Sequence, residues 1–245
     1  MDSHTNITHK YLNRVFFIVT CEHATCHIRP ELASYVGINQ EVLTSHRGWD
    51  PGALRIAFQW SEALMAPLMR GYQSRLLIDL NRSESNPDLF SQYSRNLPEP
   101  LRESLLREYR YLYRKPCLDI IEQAVSFGYL VVHLSVHSFT PVLNGVERQV
   151  DIGILFDPCR PIENIISNSW ITNSSDFLPH LRICANSPYE GVDDGFTTFL
   201  RTQFPPDSYV GIEVEFNQRF SDSEMLNQAK SLLQFANFLD RASLI

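Results

Sequence analysis

Histidines and carboxylates at the ends of apolar runs are the residues of this chain best equipped for chemistry. His23 follows Val15-Phe-Phe-Ile-Val-Thr20, and Asn81-Arg82 follows Ser74-Arg-Leu-Leu-Ile-Asp-Leu80. His137 follows the run that begins at Tyr129, and Glu213 and Glu215 lie within Tyr209-Val-Gly-Ile-Glu-Val-Glu-Phe-Asn217. Asp50 stands just before Pro51, where a helix is expected to start. Two histidines and one carboxylate from separate segments make the usual three-ligand set of an open catalytic zinc site, which leaves one position for water. A further carboxylate would accept the proton of that water, and an arginine would clamp a substrate carboxylate bidentately. An isolated pair such as His133 and His137 is better read as satisfied core histidines. Here several other segments repeat the pattern of a buried run ending in polar residues, and the balance tips towards a site.

These side chains need strands to position them. Tyr129-Leu-Val-Val-His-Leu-Ser135 directly follows Gly128 and carries four large aliphatics, the pattern of a central strand buried on both faces. Val15–Thr20, Ser74–Leu80, Asp151–Asp157, Leu181–Ala185 and Tyr209–Asn217 are predicted as further strands. Helices are predicted from Asp50 (as N-cap) to about Leu68, with Pro67 bending or ending the first of them. Others are expected over Pro100–Phe127 with a break before Pro116, and over Ile162–Leu178, Gly195–Phe204 and Ser221–Ala242. The Ser/Asn/Pro-rich stretch after Arg82, to about Pro98, is long for a compact connection and is a lid candidate. Strands alternating with helices predict an α/β fold, a largely parallel mixed sheet with helices on both faces. In such sheets ligands bind at the carboxyl ends of the strands, which is where the polar residues above fall.

The bulk properties narrow the classes. At 245 residues and 44% hydrophobic, the chain is expected to form one domain over 1–245, with Met1 to Arg14 a loosely packed start. A net charge of −7 and scattered Lys and Arg argue against nucleic-acid binding. No secretory signal and no apolar run near the ~20 residues of a membrane span are visible, so a cytoplasmic, membrane-free protein is expected. Cys21, Cys26, Cys117, Cys159 and Cys184 form no regular framework and are read as reduced thiols.

Five blocks together resemble the N-formylglutamate amidohydrolase family: Thr20-Cys-Glu-His-Ala24, His46-Arg-Gly-Trp-Asp-Pro-Gly-Ala53, Ser74–Arg82, Val136-His-Ser-Phe-Thr-Pro141 and Glu215-Phe-Asn-Gln-Arg219. They fall in that family's order across about residues 15 to 240. The resemblance implies a zinc-carboxypeptidase-like α/β fold and metal-assisted hydrolysis of an amide. The stretch Asp79-Leu-Asn-Arg82 also resembles the substrate-carboxylate clamp of aspartoacylases.

Carried over residue by residue, the resemblance implies that His23 and His137 are ligands of one zinc ion. Asp50 is the preferred third ligand, with Glu22 and His46 as rivals. Cys26 stands where the zinc-carboxypeptidase spacing has Glu, so the third ligand comes from elsewhere or metal binding is impaired. Arg82, helped by Asn81, would hold a substrate carboxylate. Glu215 would be general base and then acid, and Glu213, on the same strand face, is its alternative. If both acids face the metal, their repulsion should raise one pKa. Arg148 is a further candidate for the pocket, although an ion pair with Asp151 is the plainer reading. His133 is read as core or support for His137. The expected function is cleavage of the N-formyl or N-acyl amide of glutamate or a related acidic amino acid, a small-molecule substrate. The alternatives are a zinc carboxypeptidase or amidase on small peptides, and a binding protein of the same fold without catalysis.

Overall fold

The apolar run that begins at Tyr129 forms a strand of ten residues, every one of them buried. In the computed structural model, which describes residues 14–234, this strand (Leu130–Phe139) lies inside a sheet of six. Numbering strands in chain order, the sheet contains β1 (Val15–Cys21), β2 (Leu68–Arg70), β3 (Leu130–Phe139), β6 (Ile152–Leu155), β7 (Ile183–Ala185) and β8 (Tyr209–Asn217). A separate antiparallel hairpin pairs β4 (Val142–Leu143) with β5 (Val146–Glu147). The order across the sheet is β2-β1-β3-β8-β6-β7. Neighbours are parallel except β6 and β8, which are antiparallel, so the sheet is mixed and largely parallel, as expected.

Alternation along β3 decides what each face holds. Leu130, Val132, Leu134 and Val136 join a core with the helices Ala53–Leu64, Pro161–Phe177 and Asp222–Leu232. The Trp60 and Trp170 indoles donate to the carbonyls of Ala229 and Leu232 (both 3.0 Å), tying the last helix to this core. Val131 joins the opposite core, covered by the helical segment from Glu99 to Ser126 and by Phe196–Gln203. His133, Ser135 and His137 share that second face.

Several sequence expectations are corrected. Ser74–Leu80 is a buried turn, not a strand, closed by Leu77 N–H donating to the Ser74 carbonyl (2.9 Å). The place beside β1 goes to Leu68–Arg70, because Leu76, Leu77 and Ile78 bury themselves without joining the sheet. A short apolar run cannot tell these outcomes apart. Asp50 does not cap the first long helix, which starts at Ala53 after Gly52. No break precedes Pro116. The stretch Glu108–Arg114 is π-helical between two α-helices, and this widened turn accommodates the proline's missing N–H. The lid candidate is stapled down instead: Leu89 and Leu97 are buried and Ser91 Oγ donates to the Leu76 carbonyl (2.5 Å). Helices Pro30–Val36 and Gln40–Thr44 and the β4–β5 hairpin were not anticipated. Of the helix expected over Ser221–Ala242, residues 235–242 lie outside the described residues. No helix among the described residues is long and apolar enough to cross a membrane.

One glycine fixes how closely β6 approaches the chain around Ser187. Gly153 lies opposite Glu215 of β8, and a Cβ on it would come 2.2 Å from the Ser187 carbonyl oxygen. Gly153→Ala should therefore lower stability by about 1–3 kcal/mol, the usual cost of overpacking. Urea denaturation should show a lower midpoint with an unchanged slope. An unchanged midpoint would mean that the backbone at Ser187 simply moves away.

Candidate active site

Parallel pairing of β3 with β8 brings His137 opposite Glu215, and Ser135 opposite Glu213. β1 ends beside them and hands its chain to Glu22 and His23. The backbone N–H of Asp50 donates to the His23 carbonyl (3.0 Å), so a loop remote in sequence is held against the strand end. The buried turn 74–80 contributes Arg75 and Asp79.

The two histidines have the same arrangement. His23 Nε2 lies 2.7 Å from Asp79 Oδ1, and His137 Nε2 lies 2.9 Å from Ser135 Oγ and 3.2 Å from Glu22 Oε2. Each ring thus has a buried carboxylate on its outer nitrogen and turns Nδ1 towards Asp50 Oδ2, at 3.2 Å for His23 and 2.8 Å for His137. Carboxylates on the far nitrogen are the usual means of orienting metal-binding imidazoles. The donor atoms of His23, Asp50 and His137 all lie within 4.8 Å of one another, and all three residues are buried.

Burial lowers the pKa of both imidazoles, but the carboxylates around them win. Asp50 and Glu22 raise His137 well above its ordinary value, and Asp79 and Asp50 raise His23. The same partners hold Asp50 and Glu22 far below the usual carboxylate range against their own desolvation. These carboxylates require positive charge beside them, which a divalent cation bound there would supply. The donor set fits a zinc ion. His23, Asp50 and His137 would hold it, and Asp79 and Glu22 would orient the rings.

Glu215 differs from these acids. It is 7% exposed, lines the same cleft, and its Oε2 has no hydrogen-bond partner among the described residues. Burial, reinforced by the negative charges of Asp50 and Glu213, raises its pKa to about 7. Glu213 is already engaged: Thr197 Oγ1 donates to it at 2.6 Å and Asn81 Nδ2 at 3.5 Å.

The cleft around this group has a volume of about 400 Å³. Asn81, Arg82, Arg75 and Tyr189 line it, and Leu143 of the β4–β5 hairpin stands at its edge. Arg82 donates to the Asp194 carbonyl (2.8 Å) and makes no ion pair among the described residues. Arg148 does not line the cleft. Its guanidinium donates to the Tyr189 hydroxyl (3.0 Å) and stacks over Phe139 and Tyr189, so it supports a wall. It does not pair with Asp151, which is taken by Arg219 and Arg182. His46 lines the cleft but is exposed, apart from the buried trio.

The sequence reading gives Arg75 no role and names Asp79 only within the Asp79-Leu-Asn-Arg82 stretch. Arg75 Nη1 lies 3.1 Å from His23 Nδ1, and its Nη2 donates to Asp79 Oδ2 (2.7 Å). Their signal was a charged pair four residues apart flanking an apolar run, and reading that run as a strand concealed it.

A family model described as N-formylglutamate amidohydrolase matches residues 15–221. Among solved structures, a gene product of Agrobacterium tumefaciens is 29% identical, with a TM-score of 0.77 over 91% of this chain and 89% of that one. N-formylglutamate amidohydrolase from Ralstonia eutropha is 14% identical, with a TM-score of 0.57 over 93% and 92% of the two chains, a likeness of fold. No curated protein matches the sequence.

His133 stands apart from the candidate ligands. Its nitrogens meet Thr20 Oγ1 (2.8 Å) and the Tyr209 hydroxyl (2.7 Å), and burial pulls its pKa down from 6.5 to about 4. Between those values the unfolded chain binds a proton that the folded chain refuses. Stability from this residue is therefore present above about pH 6.5 and lost as pH falls towards 4. The loss should reach roughly 3 kcal/mol. Denaturation of wild type and His133→Gln across this range should show the steeper fall in wild type. Parallel profiles would mean that His133 protonates in place.

Proposed function

The chain belongs to the N-formylglutamate amidohydrolase family, and on that premise we propose that it hydrolyses the N-formyl or another N-acyl amide of glutamate or a related acidic amino acid, using one zinc ion. The observation that carries this reading is the convergence of His23, Asp50 and His137 beside Glu215, a buried acid with a free oxygen. When bound by the trio, the metal would supply Lewis acidity, polarising the scissile carbonyl and acidifying water.

The rest of the reaction falls to the side chains. Glu215 takes the proton of the attacking water as it adds to the acyl carbon. With a pKa near 7 it is basic enough for that step and acidic enough to pass the proton on to the leaving nitrogen. The C–N bond then breaks, giving formate (or another acid) and the free amine. Arg75 would neutralise negative charge developing on the carbonyl oxygen. Arg82 and Asn81 would hold a carboxylate of the substrate, and Arg148 would act through Tyr189. Five free cysteines suit a reducing compartment, so the reaction is assigned to the cytoplasm.

Zinc-loaded protein should release formate from N-formyl-L-glutamate, lose this activity on chelation and regain it with zinc. Absence of turnover on N-formyl and N-acetyl acidic amino acids alike would refute the reading. Glu215→Gln keeps the shape and removes the basic oxygen, so it should retain zinc and fold while losing roughly 10²–10⁴ in kcat. Glu213→Gln should be milder, since Glu213 is tied to Thr197 and Asn81. The opposite ranking would exchange the two roles.

A further inference from the structure

The buried turn 74–80 separates two cavities. Leu76 lines the cleft, whereas Ile78 and Leu80 line a second cavity of about 410 Å³ that shares no lining residue with the first. Its other walls come from Arg70, Tyr72 and Gln73 and from the π-helical stretch, through Glu108, Leu112 and Tyr113. Irregular helical turns of this kind recur at functional sites.

Three features give this cavity a chemical preference. Ile78 and Leu80 are buried in its wall, while Leu112 and Tyr72 are each 65% exposed and leave apolar surface uncovered. Gln73 is 8% exposed; its Nε2 donates to Glu108 (2.7 Å), but its Oε1 has no partner among the described residues. Buried acceptors are nearly always paired, so this oxygen is suited to a donor from outside the chain. Arg70 lies over the Tyr72 ring at 4.8 Å and has no ion-pair partner among the described residues, while the neighbouring Arg29 is taken by Glu108 (2.5 Å).

We propose that this cavity is a second small-molecule site. It would take a compound with an apolar body, one carboxylate for Arg70 and one N–H or O–H group for Gln73 Oε1. The compound would lie against the ring of Tyr113, whose hydroxyl donates to Glu22 (2.7 Å), which in turn holds Ser135 (2.7 Å) beside His137. The two sites thus share a wall of buried hydrogen bonds, yet the proposal stands independently of the reaction assigned to the cleft.

Indole-3-acetate has these groups and serves as the probe, titrated calorimetrically into the full chain. Saturable binding at one site is expected, weakened at least tenfold by Arg70→Gln and by Leu112→Glu, which places a negative charge at the rim. Arg82→Ala should leave it within twofold, and indole-3-acetamide, without the charge, should bind at least tenfold more weakly. Unchanged thermal midpoints in the rim variants keep a loss of binding attributable to the site. No saturable binding would overturn the proposal. So would loss in Arg82→Ala with retention in Arg70→Gln, which moves the probe to the cleft, or equal binding of acid and amide.

Discussion

Burying several charges at one end of a sheet is the constraint on which this molecule depends. Asp50 Oδ2 is shared by both imidazoles, and each imidazole is held from behind by another buried acid. A buried carboxylate without a counter-charge is costly, and removing one member of such a group typically costs about 3–5 kcal/mol because its partner is left stranded. The cluster therefore holds together only as a set in which positive charge, on protons or on a cation, lies between Asp50 and the rings. Arg75 adds a fixed share of that charge from the 74–80 turn, bonded to Asp79 and close to His23.

The backbone makes such a set possible. Four parallel strands end near one another, so residues far apart in sequence meet with little freedom to separate. The register of β3 against β8 puts His137 and Glu215 side by side. Beyond Glu215, Asn217 anchors the strand end by donating to the Val150 carbonyl (2.7 Å) and accepting from Arg219 N–H (2.9 Å). Within this frame one acid lacks a donor. Among the described residues Glu215 keeps an oxygen without a partner, whereas Glu22, Asp50, Asp79 and Glu213 are each bonded.

Much of this was legible in the sequence, for identifiable reasons. β1, β3 and β8 were readable because doubly buried parallel strands are near-continuous apolar runs, and their carboxyl ends name the polar residues that follow. His23, Asp50, His137, Glu213 and Glu215 do meet in one cleft. What was not legible depended on tertiary choice. Ser74–Leu80 carries the apolar residues of a strand, yet the edge of the sheet was filled by Leu68–Arg70, and the buried turn that resulted supplies Arg75 and Asp79. Asp50 before a proline has the look of a helix cap, but its side chain turns to the histidines. Arg148 and Asp151 are close in sequence, yet Asp151 pairs with Arg219 and Arg182, and Arg148 stacks on two rings. No local pattern distinguishes these outcomes, because each involves at least one partner more than thirty residues away.

Proximity in sequence does not decide which side chains join His23. Cys26, three residues on, is only partly buried and outside the trio. The carboxylate arrives instead on a separate loop, which would normally mean a looser and entropically dearer site. The bond from Asp50 N–H to the His23 carbonyl removes that freedom, and the Ser138 hydroxyl donating to the Pro51 carbonyl (2.7 Å) fixes the same loop to the end of β3. Asp50 is thereby pinned to the two strands that carry its histidines. A carboxylate 27 and 87 residues from its two histidines is held beside both rings.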